Sequence, residues 1–217
     1  MTRTRERRTQ AERRAHTHAA LLDATADCLV ERGYANTSTN DIIRSAGVSR
    51  GALLHHFSSK AELMGATVEH VSDRCELEFR EAFAAMPVEE RTLEQAVVQL
   101  WEIFRGPTFD AVLELFVAAR TDAELRAVLQ RVLERFERSV TADFAVLFPA
   151  TASAPESRAI VRFCFAALQG AAIADDLGLD DEADDILSIL RGLAATLGNT
   201  ISTTVPAPAP TEETVQP

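Results

Sequence analysis

Between residues 16 and 198 the apolar side chains recur every third or fourth position, and no segment alternates as a half-buried strand would. That period predicts an all-α chain of about nine helices. The first, over 16–32, sets Leu21, Leu22, Ala26, Leu29 and Val30 on one stripe, with Thr25 as its polar member and Gly33 as its stop. Two short helices follow over 39–46 and 50–56, parted only by Gly47-Val48-Ser49. Ser38 with Asp41 reads as a capping box and Ser49 as an N-cap, because each hydroxyl can accept an amide the first helical turn leaves unpaired. Ser59 with Glu62 opens a longer helix that ends near Met86, where Pro87 follows. Further helices are expected over 92–104, 108–120, 121–148 (opened by Thr121 with Glu124), 156–175 and 182–198, with a loop over 150–155. An Arg-rich arm, 1–14, and a Pro-rich tail, 201–217, are expected to stay disordered.

At 217 residues and 47% hydrophobic the chain can bury a core, which excludes a wholly disordered or collagen-like protein. No unbroken apolar run approaches the roughly 18 residues of a membrane span, so no membrane partner is expected. The opening MTRTRERRTQ leads into no apolar segment of a signal peptide. Cys28, Cys75 and Cys164 match no zinc or redox spacing, which points to core roles and a cytoplasmic location. No nucleophile triad, carboxylate pair, Gly-rich phosphate loop or metal-ligand spacing is present, so neither an enzyme nor a cofactor is expected. Adjacent His55 and His56 diverge on a helix and do not converge on a metal. The acidic run Asp180-Asp181-Glu182-Asp184-Asp185 lacks the glycine and spacing of a calcium loop.

The net charge of −11 hides a polarity. Residues 1–60 carry 10 basic against 6 acidic side chains, and residues 61–217 carry 12 against 27. A basic end on an acidic body points to nucleic acid at that end. With only Tyr34 and Phe57 as aromatics there, base stacking is poorly supplied and duplex DNA is the better partner. The basic end also holds the pair of short helices. Two such helices joined by a glycine-bearing turn form a helix-turn-helix, whose second helix enters the major groove. Ile42, Ile43, Val48, Leu53 and Phe57 would seat that helix. Arg50 can donate to guanine O6 and N7, Gly51 and Ala52 permit close approach, and His55 lies one turn on. Lys60, the one lysine, opposes the dipole of the helix it begins unless an anion is near.

Residues 21–68 resemble the DNA-binding domain of the TetR family of one-component regulators. The resemblance rests on Glu31-Arg32-Gly33-Tyr34, Thr37-Ser38, Asp41-Ile42-Ile43, Ala46-Gly47-Val48-Ser49, Gly51, His56-Phe57 and Ser59-Lys60. It implies a homodimeric repressor of a palindromic operator, released by a small-molecule effector bound in the C-terminal domain. By that analogy Arg50, Ala52 and His55 read bases, while Thr37, Ser38, His56 and Lys60 contact backbone. Ser49, Gly51 and Leu54 complete the expected DNA-binding set. Leu54 departs from the tyrosine usual two residues before the histidine, which removes a phosphate-directed hydroxyl. The implied division is a DNA-binding domain over 15–60 and an effector-binding and dimerisation domain over 61–200.

Ten of the eleven phenylalanines lie beyond residue 60. Core packing accounts for most of them, but a sensing body needs an apolar-walled cavity. Phe83, Leu100, Trp101, Phe104, Phe109, Leu113, Phe116, Phe136 and Phe144 are the expected walls, with Arg120 as a candidate partner for an anionic group. Their apolarity suggests a hydrophobic or amphipathic effector. The small-residue helix 156–175 and the helix 182–198 suit a dimer interface through Phe163, Ala167, Gly170, Ala171, Ile186, Leu190 and Leu193. Two alternatives are a DNA-binding dimer that senses nothing and an α-helical small-molecule enzyme.

Overall fold

The computed structural model describes residues 9–152 and 156–202. Arg3, Arg5, Arg7 and Arg8 of the arm and residues 203–217 of the tail lie outside the described residues. Among the described residues there are ten α-helices, one 3-10 turn (Val88–Glu90) and no strand. The helices are α1 (Gln10–Asn36), α2 (Thr39–Ser45), α3 (Arg50–His56), α4 (Lys60–Ala85), α5 (Leu93–Phe104), α6 (Pro107–Ala118), α7 (Ala123–Leu147), α8 (Pro149–Ala152), α9 (Ser157–Asp176) and α10 (Asp180–Ser202). Apart from the single turn α8, which occupies part of the expected 150–155 loop, these are the nine helices the periodicity predicts.

At the starts of α1 and α7 a cap explains where the boundary differs. Helix α1 starts at Gln10, ahead of its apolar stripe. There Thr9 Oγ accepts the Glu12 amide at 3.2 Å, and the Glu12 carboxylate accepts the Thr9 amide at 2.7 Å. Arg13 and Arg14 therefore stand on a helix and not in a disordered arm. Helix α7 is opened by Asp122 and not by Thr121: Asp122 Oδ1 accepts the Leu125 amide at 2.9 Å, while the Thr121 hydroxyl donates back to Ala118. Pro107 at the first position of α6 lacks the amide that position cannot use.

The residues gather into two compact units. One holds residues 9–85 together with Glu102–Val140, and the other holds Met86–Trp101 with residues 141–152 and 156–202. In the first, α1 packs on α2, α3, α4 and α6. Leu21, Leu22, Cys28 and Leu29 of α1, Leu63, Met64 and Val68 of α4, Leu115 of α6 and Leu125 and Leu129 of α7 form its core. Thr25 is fully buried, and its hydroxyl donates to the Leu21 carbonyl at 2.7 Å, which is how a polar side chain sits in this stripe. Val30, expected on the same stripe, is instead 42% exposed.

In the second unit α9 and α10 pack on each other and on α8. Leu168, Ala171 and Ala172 of α9 and Ala183, Leu190 and Ala194 of α10 are buried, small side chains predominating where the helices meet. By length and composition α9 is apolar enough to cross a membrane. It contains no long unbroken apolar run, because Arg162 and Gln169 interrupt it. The Arg191 guanidinium donates twice to Glu94 Oε1, at 3.1 and 2.7 Å, and ties α10 to α5 within this unit. All three cysteines are free, and burial pushes the Cys75 and Cys164 thiols up to about 11, which leaves them poor nucleophiles.

At Gly65 of α4 there is no room for a side chain, since a methyl group there would collide with the Val128 side chain of α7. Gly65→Ala is expected to destabilise the protein by ~1–3 kcal/mol through overpacking. Denaturant unfolding checks this, and a neutral or stabilising result would show that α7 yields freely.

Candidate nucleic-acid interface

The turn between α2 and α3 is built by local hydrogen bonds. Gly47 takes φ +65°, which an L side chain adopts only with strain. Its amide donates to the Arg44 carbonyl at 3.3 Å, and the Val48 amide to the Ile43 carbonyl at 3.1 Å. This paired closure ends α2 with its last carbonyls satisfied. Ser49 Oγ then accepts the Ala52 amide at 3.2 Å and starts α3 at once. At the other end of α2, Ser38 Oγ accepts the Asp41 amide at 3.2 Å, and the Asp41 carboxylate takes the Ser38 amide at 3.2 Å. Hydrogen bonds from the Ser38 hydroxyl and amide, with Arg44 and Arg32 beside it, hold the Asp41 carboxyl below its ordinary value.

Helix α3 and its C-cap bury Leu53 and Phe57 and turn the opposite side of the helix outward. Arg50, Gly51, Leu54 and His55 are exposed there, with Leu54 at 60% in the middle of the face. Ala52 and His56 flank it, half-buried. Among the described residues nothing pairs with the Arg50 guanidinium, whereas Arg44 is held by Asp41 at 2.8 Å. Ile42 is buried beneath α3, and Ile43 and Val48 pack at the edge of the same core, as the spacing predicts.

Two residues expected at the backbone are used differently. Thr37 is buried, and its hydroxyl lies 3.0 Å from the Cys28 carbonyl and 2.7 Å from that of Gly33. It therefore shapes the interface by holding the end of α1. Lys60 does not project from the start of α4. Its ammonium lies 4.1 Å from the Tyr34 ring centroid and 3.4 Å from the Tyr34 carbonyl. Burial lowers its pKa from the ordinary lysine value, partly offset by Asp122. The ring face, the carbonyl and Asp122 supply the negative environment that the dipole of α4 denies it.

Tyr34 is the joint between this head and the rest of its unit. Its amide donates to Glu114 of α6 at 2.8 Å, and its phenol to Asp122 at 3.1 Å. Gly33, at φ +71°, lets the chain turn so close to the Glu114 carboxylate that a side chain there would meet it. The sequence offers no local sign of these pairs, which join residues 80 and 88 positions apart.

Residues 21–67 match the family described as "Bacterial regulatory proteins, tetR family". An uncharacterized HTH-type transcriptional regulator of Mycobacterium tuberculosis is 39% identical over 168 residues, covering 76% of this chain and 86% of that protein. The chain belongs to the TetR family. As a member it is a DNA-binding transcriptional regulator. The HTH-type transcriptional regulator CymR of Pseudomonas putida is 36% identical over 170 residues, covering 77% and 83% of the two chains. A second M. tuberculosis protein, named an HTH-type transcriptional repressor, is 36% identical over 69 residues, 32% of this chain and 37% of its own. The all-α fold is shared with a crystallised transcriptional regulator from Rhodococcus sp. Rha1, at TM-score 0.65 and 22% identity over 82% of this chain and 96% of that one.

The residues expected to line an effector cavity divide between the two units. Leu100, Trp101 and Phe144 fall in the second unit, and Phe83, Phe104, Phe109, Leu113, Phe116, Arg120 and Phe136 in the first. Phe83 is 1% exposed and stacks on Phe79, Phe104 packs on Phe109, and Phe116 packs against the core of the first unit. Arg120 is exposed. Trp101 lines a cleft of about 530 Å³ in the second unit, with Val97 and Val98 of α5 and Leu187, Arg191 and Ala195 of α10. Phe136 lines a smaller, polar cleft of about 310 Å³ between α4 and α7, with Asp73, Glu76 and Arg135. Of the residues expected at a dimer interface, Ala171 and Leu190 are buried within the chain. Phe163, Gly170 and Leu193 are exposed, and Ala167 and Ile186 half-exposed. Ile173, Leu177 and Ile189 add exposed apolar surface that the reading of residues passed over. Among the described residues no group of three or more His, Cys, Asp or Glu is placed to hold a metal ion.

Glu114→Ala removes the carboxylate that accepts the Tyr34 amide. It is expected to cost about 1 kcal/mol of stability and to weaken DNA binding although Glu114 lies on α6. Glu114→Gln, which keeps an acceptor, should recover most of both. Parallel melting and DNA-binding curves check this, and unchanged DNA affinity in Glu114→Ala would show that the joint does not position the head.

Proposed function

We propose that the protein is a dimeric, effector-responsive repressor that binds a palindromic operator through residues 15–60 and senses and dimerises through residues 61–200. The observation that carries this reading is the exposed face of α3, where an unpaired Arg50 guanidinium stands beside Gly51, Leu54 and His55 on a helix anchored from behind. Arg50 and His55 are assigned to base edges, with Gly51 and Ala52 giving room for close approach. Ser38, Ser49 and His56 are assigned to the backbone side, and Leu54 to apolar contact in the groove. Two copies would address half-sites about one helical turn, ~34 Å, apart. The relative named a repressor supports the sign of regulation.

The exposed apolar residues Phe163 and Ile173 of α9, Leu177 at its C-cap, and Ile189 and Leu193 of α10 support dimerisation through these helices. The effector would bind one of the clefts lined by Trp101 or Phe136 and favour the conformation with lower DNA affinity. A difference of a few kcal/mol between states would empty the operator.

Sequencing of genomic fragments retained by the purified protein tests the reading. Enrichment of one or a few palindromes is expected, with Arg50→Ala losing ~1–3 kcal/mol of specific binding. Absence of enrichment from a folded protein at every salt concentration would overturn repression by the effector-free form. Leu193→Glu combined with Ile189→Glu should yield a folded monomer in sedimentation, and an unchanged dimer would move the interface elsewhere.

A further inference from the structure

Three histidines from two helices meet beside the exposed face of α3. His18 of α1 lies with its ring centroid 5.5 Å from that of His56, and His55 lies 5.8 Å from His56 on the other side. The Phe57 ring, 5.2 Å from His18 and 6.2 Å from His56, fixes both from beneath. Phe57 is itself buried in the core. The remaining charge acting on His56 is Arg14, one turn before His18 on α1, and no carboxylate is among the groups that act on it. Both His18 and His56 are half-buried and reach solvent. The chain thus gathers imidazoles and a guanidinium, with no carboxylate acting on His56, at the edge of the helix that the function proposed above, on which this inference rests, sets against a polyanion. A core histidine pair would be expected to include a fixed acceptor.

We propose that His18 is a further residue of the DNA interface, and that His18 and His56 in protonated form hold one backbone phosphate of the duplex between them. In the free protein, burial and then His18, Arg14 and His55 lower the pKa of His56 from the ordinary histidine value. A phosphate reverses the like-charge part of that balance, so binding takes up protons. The signs on binding and folding are opposite. A pKa raised in the complex gives affinity that is fully present below the free-protein value and lost as the pH rises through the value in the complex. A pKa lowered by folding makes the free protein less stable in acid. Acidification therefore tightens DNA binding while it loosens the fold, and a merely structural cluster would produce only the second effect.

A phosphate contact is blind to sequence, so a 30-base-pair duplex of arbitrary sequence serves as the probe for the full-length protein. At constant ionic strength, binding is expected to be about five- to tenfold tighter at pH 6 than at pH 7.5. The calorimetric heat should differ between two buffers of different ionisation enthalpy by the amount that proton uptake requires. His18→Gln and His56→Gln should each flatten the pH dependence. His18→Arg, whose charge is permanent, should bind at pH 7.5 nearly as tightly as the unaltered protein at pH 6. The proposal is overturned if heats do not depend on buffer, or if a folded His18→Gln variant keeps the full pH dependence. It is equally overturned if His55→Gln alone abolishes that dependence.

Discussion

A helix of seven residues does not hold together in water, because nucleation costs more than two turns of hydrogen bonds return. The helix that presents Arg50 is that short. Its existence depends on burying Leu53 and Phe57 in a core supplied by α1, α4, α6 and α7. The exposed face of α3 is the solvent side of a hydrophobic contact, so the groups proposed to face DNA are held by buried groups behind them. This dependence also explains why Ser49 and Gly47 matter without reaching a base. They bring the chain out of α2 and into α3 within a few residues, so that Leu53 and Phe57 meet the core in register with Ile42.

The same economy governs the charged groups. Asp41 and Glu62 are acidic residues in a basic head, and both serve as caps: the carboxylate of Glu62 accepts the Ser58 amide and hydroxyl at 2.7 and 2.6 Å. With these acids spent on helix ends, Arg50 and the histidine cluster face outward with nothing to neutralise them. Lys60 is the exception, since its ammonium is drawn over Tyr34 and lies close to the joint between head and α6. Tyr34 thereby links three elements through its amide, its ring and its phenol. A shift of α6 would be felt at the end of α1 through the Glu114 carboxylate.

Local patterns were legible wherever the governing force is local. The bounds of α3, the capping of α2 and α3 by Ser38 and Ser49, and the burial of Ile42, Leu53 and Phe57 follow from spacing and side-chain chemistry alone. Thr37 was misplaced because a hydroxyl beside a cap looks the same whether it faces a phosphate or the Cys28 and Gly33 carbonyls. Ala171 and Leu190 were misplaced for a similar reason. A stripe of small and apolar residues marks helix packing without saying whether the partner helix belongs to the same chain. Aromatic content likewise predicts burial, as at Phe83 and Phe109, without naming a cavity.

The amino-acid order by itself determined an all-α chain, a helix-turn-helix at its basic end, and the side chains that could read a duplex there. These depend on hydrogen bonds and apolar periods that close within a few residues. Only the tertiary structure decided that Tyr34 would meet Glu114 and Asp122, that Lys60 would turn onto a ring, and that His18 would stand against His56. Those pairings join residues 26 to 88 positions apart, or in the last case two separate helices. Contacts across such separations are selected by how whole helices pack, and no local pattern encodes them.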